Sequence, residues 1–184
     1  MFLDKFKESP KSKILCILAA VGFLIVLLVE IFVFIPIEST VSTYGILDYE
    51  FAWNADKVIS IFLAWGANGI NNQITAIYWD FLFIIGYVSL AFSLILLVFQ
   101  RSNESIQTIG KYVPITPLLT GIFDVIENVF LLTMATNLSS VNDSNALLAS
   151  LSASLKFGLL FVGIIYFIGA LILILFNKIK KRNE

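Results

Sequence analysis

The stretch Val113–Thr136, VPITPLLTGIFDVIENVFLLTMAT, decides how the rest of the chain is read. It is apolar for long enough to cross a bilayer, which takes about 20 helical residues. Yet Asp124, Glu127 and Asn128 stand in its middle and far half, where ionisable side chains are rare and costly. Their i, i+3, i+4 spacing puts all three on one helix face, with Thr120 and Gly121 about a turn earlier on the same side. A face with two carboxylates cannot look at lipid, so it turns to a protein interior or a wet cavity and becomes the first candidate for a functional site. Pro114 and Pro117 fall in the first turns, where proline is best tolerated.

The apolar character extends through the chain. Of its 184 residues 59% are hydrophobic and 14% charged, with a mean hydropathy of +0.93, against roughly 45–50% and about 25% in soluble domains. That is the composition of an integral membrane protein. The net charge of -1 selects no partner by itself. A single cysteine, Cys16, excludes an internal disulfide and a CxxC pair, and its place in an apolar run reads as packing. The lack of histidine excludes His-based metal centres, Ser-His-Asp and Cys-His nucleophile systems and the helical HExxH. No metal site and no cofactor are expected. No basic aromatic surface points to nucleic acid.

Three further apolar runs flank the first, at 14–37, 74–99 and 155–176. The run at 14–37 follows a lysine-rich arm, MFLDKFKESPKSK, and is interrupted only by Glu30. It is too long for a signal-peptide core of 7–15 residues and has no small-x-small cleavage site after it, so it is expected to stay as a signal-anchor helix. The segment 38–73 is a long connection, within which NADKVISIFLAWGANG reads as a short amphipathic helix. Asn54 or Asp56 caps it, and Val58, Ile61, Phe62 and Trp65 share a face. Such a helix suits either the membrane surface or a lid on the bundle. Gly66, Gly69, Asn71 and Asn72 are expected to break it. The run at 74–99 opens with the aromatic pair Tyr78-Trp79 and carries Asp80 in its first third, with Tyr87 on the same face. After a polar turn at 137–145, ALLASLSASLK leads into the run at 155–176, which Lys156 opens. The small residues at 149–154 allow two helices to approach closely. No repeat, low-complexity segment or second domain is visible, so residues 1–184 read as one membrane domain.

Charge orients the spans. Ten of the twelve Lys and Arg lie in the N-terminal arm (Lys5, Lys7, Lys11, Lys13), the second connection (Arg101, Lys111) and the tail (Lys178, Lys180, Lys181, Arg182). Four spans put these segments on one side, and the positive-inside rule makes that side cytoplasmic. The expected fold is therefore an all-α, four-transmembrane-helix bundle in the cell membrane, with both termini inside and the amphipathic helix in the first outer loop. Counting at about 1.5 Å per residue then sets Glu30, Asp80, Asp124, Glu127 and Lys156 all between the mid-plane and the outer surface. Glu30 and Lys156 stand near enough to helix ends to snorkel, and Asp80 to reach the interface. Asp124 and Glu127 are too short and too deep for that.

Several carboxylates in a low-dielectric pocket cannot all be charged, and a protonated acid beside an ionised one is what acid/base catalysis uses. The leading expectation is a small membrane protein that binds or acts on a lipid-like or other hydrophobic small molecule entering from the outer leaflet. Asp124 and Glu127 form the proton-transfer pair and Asp80 is a positioning or second acid. Asn128, Glu30, Tyr87 and Lys156 complete the ligand site. Whether it is an enzyme stays open. The same acids suit a cation or proton path, which makes the protein a transporter or channel subunit working as an oligomer. Against that, few polar groups continue inward, mainly Ser89, Ser93 and Thr116. A third reading is a non-enzymatic assembly protein whose acids pair with a partner. A cavity beside Asp124 favours the first reading, and acids filled by Lys156 the third. The polybasic ends suit anionic membrane lipid. The layout resembles that of tetraspan proteins such as claudins, but the paired cysteines of their outer loop are absent, so the likeness is one of topology and carries no function.

Overall fold

The computed structural model describes residues 6–40 and 43–183; Lys5 of the basic arm and the side chains of Lys181 and Arg182 lie outside the described residues. In chain order the elements are Ser12–Glu38 (α1), Ile46–Glu50 (α2), Ala55–Arg101 (α3), Glu104–Ile109 (α4), Val113–Thr136 (α5) and Asp143–Asn183 (α6). Among the described residues there is no strand. Four helices, α1, α3, α5 and α6, are long and apolar enough to cross a membrane. Their outward faces are apolar too, with Phe23, Phe32, Ile122, Phe161, Ile165 and Ile172 all exposed, as a lipid-facing surface requires.

Two elements depart from the sequence expectation. The amphipathic stretch and the second span are two helices that meet at a kink inside α3, the first starting at an Asn54 cap whose side chain accepts the Lys57 N–H at 2.9 Å. Only Gly66 leaves the helical region, at φ 62 and ψ -179, a conformation essentially confined to glycine. The chain turns there and resumes a helix at once, so Gly69, Asn71 and Asn72 are helical. Glycine or asparagine costs a helix about 1 kcal/mol or less per residue, which the long apolar run outweighs. α6 begins at Asp143 rather than at 155, because the small-residue stretch carries Ala146, Ala149 and Ala153, all buried against the neighbouring helix.

α1 also changes pitch, with a π-helical turn over Glu30–Phe34 in which the Ile35 N–H reaches the Glu30 carbonyl. Pro36 explains it: proline has no N–H to give the Phe32 carbonyl, and its ring crowds that oxygen. π-turns of this kind cluster at functional sites.

α1 packs on α3, α6 on α5, and α3 on both α5 and α6. Hydrocarbon fills the bundle in two places. One cluster, at the α2 end, joins Tyr49, Val58, Ile61, Phe62, Leu131 and Met134. The other joins Leu15, Leu96 and Phe99 with Phe6 and Phe92. Between them lie polar side chains and open space.

Candidate functional site

The polar centre is built around Lys156, which points from α6 into the bundle and is 8% exposed. Its ammonium donates to Asp124 Oδ1 at 2.9 Å and lies 2.9 Å from Glu127 Oε2 and 3.4 Å from Glu50 Oε2. The second oxygen of Asp124 accepts the Tyr87 hydroxyl at 2.7 Å. One turn along, the Asn128 amide donates to Asp80 Oδ2 at 2.6 Å. Local sequence explains the convergence. The i, i+3, i+4 spacing turns Asp124, Glu127 and Asn128 to the buried side of α5, and Asp80 and Tyr87, two turns apart, share the facing side of α3.

Glu50 is held over this cluster by contacts remote in sequence. Gly45 N–H donates to Asp48 Oδ2 at 2.9 Å and starts α2. Tyr49 OH then donates to the Leu131 carbonyl, 82 residues away, at 2.8 Å. Ser150, fully buried on α6, donates to the Glu50 carbonyl at 2.8 Å and accepts the Trp53 N–H at 3.0 Å. Trp53 takes a φ of 64, uncommon for a bulky residue, to make that turn. Burial pushes the Glu50 carboxyl above the ordinary carboxylate range, against the pull of the Lys156 ammonium; the Asp124 charge pushes it further up. Burial raises the Tyr49 phenol too, so it stays a neutral donor.

Beside the cluster lies a cavity of about 620 Å³. Its walls are of two kinds. At one end stand Glu30, Glu50, Asp80, Tyr87, Asp124 and Lys156; further along, Leu90, Leu94, Ile95, Leu160, Ile164 and Phe167 make it hydrocarbon. α1 and α6 both supply walls, and the main packing of each is on a central helix, α1 on α3 and α6 on α5. The cavity is therefore a cleft bordered by both. Every candidate site residue read from the sequence except Glu127 lines it, and Glu127 sits behind Lys156 with no exposed surface.

Glu50, Glu38 and Gln73, which no sequence pattern singles out, line the cleft as well. Gln73 carried a faint signal, an amide at the start of an apolar run. Glu50 carried none, since an acid in a loop ordinarily stands in water. Among the described residues no group of three or more carboxylates is placed to hold a metal ion; the ammonium of Lys156 takes the position between Glu50, Asp124 and Glu127. The chain matches no protein family, no curated protein and no solved structure.

Proposed function

We propose that this is a multi-pass protein of the cell membrane, both termini cytoplasmic, that takes a lipid-like molecule into the cleft between α1 and α6 and exchanges a proton with its polar end. The observation that carries this reading is the two-part cleft, with charged and hydrogen-bonding groups at one end and hydrocarbon along the rest. The excess of Lys and Arg at the arm, the second connection and the tail supports the orientation, which turns the polar end outward.

Within the cluster the roles divide. Asp124 and Glu127 both grip Lys156, so they position the ammonium. Asp80 is the carboxylate left for the ligand: Asn128 occupies one oxygen, and no cation among the described residues pairs with it. A carboxylate oriented by an amide and open to a cleft is suited to accept or return a proton.

A specific observation favours a second reading, a purely structural cluster: Lys156 ties α2, α5 and α6 together. Native mass spectrometry with solvent extraction separates the two, on the wild type beside Asp80→Asn and Lys156→Met. Lys156→Met leaves three buried carboxylates facing one another and costs about 3–5 kcal/mol under either reading. Asp80→Asn keeps the Asn128 contact and the fold. The proposal expects a discrete small molecule on the wild type that Asp80→Asn loses or accumulates unreacted. Bulk lipid alone on a well-folded wild type and on Asp80→Asn overturns it.

A further inference from the structure

We infer that the occupant of the cleft is an amphiphile with a protonated amine head and a slender hydrocarbon tail, without a phosphate; this rests on the ligand-binding reading above. Two observations carry it. The first is charge. The polar end of the cleft is lined by Glu30, Glu38, Glu50, Asp80 and Asp124, with Lys156 their only cation among the described residues. That ammonium is already ringed by three carboxylates. Glu30 and Asp80, both half-buried, and Glu38, exposed, pair with no cation among the described residues. A phosphate or carboxylate head would meet these acids with no free cation to receive it, and like charges so placed repel. A neutral hydroxyl would leave their charge unanswered.

The second observation is Gln73. It is 3% exposed, lines the cleft, and makes no hydrogen bond among the described residues. Buried amides are ordinarily paired, and one left open toward a cavity marks a place where a ligand group completes the bonding. An ammonium has three donors. Asp80 supplies an acceptor from α3 and Glu30 one from the π-turn of the adjoining α1, while Gln73, two turns from Asp80 on α3, offers a further acceptor along the head of the ligand. The amine would thus join α1 to α3 across the mouth of the cleft.

Cleft length sets the tail. From Asp80 to Ile95 the wall of α3 runs roughly 22 Å at about 1.5 Å per residue. That exceeds the depth of one leaflet, about half of a roughly 30 Å hydrocarbon core. Leu90, Leu94 and Leu160 flank this path.

The test uses the purified full chain in a neutral detergent and three probes of one chain length: dodecylamine, dodecanol and dodecyl phosphate, each titrated by calorimetry at neutral pH. Charge-assisted hydrogen bonds predict dodecylamine binding at least about tenfold tighter than either other probe. Asp80→Asn and Glu30→Gln should each weaken dodecylamine by about fivefold or more while leaving dodecanol unchanged. Glu30 pairs with no cation among the described residues, so its variant is a second test beside Asp80→Asn, and a melting curve checks that both are folded. Dodecanol or dodecyl phosphate binding as tightly as the amine, or an amine affinity indifferent to both variants, overturns the amine inference and leaves a lipid-binding cleft. If none of the three probes binds, the lipid-binding reading falls with it.

Discussion

One ammonium faces three carboxylates at Lys156, and no single cation neutralises three anions in a buried place. The excess is relieved where burial favours a proton, and Glu50 in α2 is such a place. Asp124 and Glu127 from α5 and Lys156 from α6 all face it. In the unfolded chain a glutamate loses its proton at roughly pH 4–5; in the folded protein Glu50 keeps it to higher pH. Above that range the folded state therefore binds more protons than the unfolded one, and stability falls as pH rises. Melting curves in detergent from pH ~5 to ~8 should show that fall, and Glu50→Gln, which carries no proton to lose, should make it shallower. Each kcal/mol recovered at the alkaline end reads as about 2–4 °C. An unchanged slope would mean that Glu50 is ionised throughout. Asp124, Glu127 and Asn128 announce themselves, because helical spacing on an apolar background converts directly into a shared face. Glu50 does not, because its burial depends on Tyr49 reaching Leu131 and on Ser150 reaching back from α6.

Helix α1 is held in place by the closeness of its approach to α3. A Cβ built on Gly22 would fall 2.5 Å from the Gly86 carbonyl oxygen and 2.8 Å from the Leu90 nitrogen, both backbone atoms that cannot turn aside. Without a hydrophobic drive between helices in lipid, such small-residue contacts decide association. Gly22→Leu should therefore lever α1 from α3 and lower stability by about 1–3 kcal/mol or more. It should also cost ligand binding, since Glu30 and the cleft wall travel with α1. Gly158→Leu is the control: nothing lies within 4 Å of its would-be side chain, and it should leave stability unchanged or raise it by up to about 1 kcal/mol. Equal effects in a melting assay would remove close packing as the reason. At this scale the spans were legible from apolar run length, since α1 and α5 match the runs within a residue or two. The kink at Gly66 was legible only as a break. The break falls where that glycine stands, but the second helix starts at once after it, through the mostly polar residues 67–73 and ahead of the apolar run at 74.

The whole molecule combines an architecture that composition dictates with a cavity that it does not. Four long apolar helices follow from hydropathy alone, whereas the space bordered by α1 and α6 depends on how each packs inward, α1 on α3 and α6 on α5. No single-helix pattern encodes such a gap; only the outcome of packing does. Its use depends on which way the bundle faces. With both termini inside, the polar end of the cleft opens toward the outer leaflet, and a ligand arrives from outside the cell; reversed, the same cleft would serve the cytoplasmic leaflet. Orientation can be read with single cysteines in a Cys16→Ala background. Ser144 opens α6 beyond the α5–α6 turn, Ser105 lies in α4, and both are exposed. A membrane-impermeant maleimide on intact cells should label Ser144→Cys and reach Ser105→Cys only after permeabilisation. The opposite pattern would invert the bundle and put the Lys156 cluster on the cytoplasmic side. Labelling of both in intact cells would break the four-span topology itself, because a crossing by α5 must put the two sites on opposite sides. The charge distribution predicts the first result: placing Arg101 and Lys111 outside would carry the arm and tail lysines with them, against the bias that orients membrane helices.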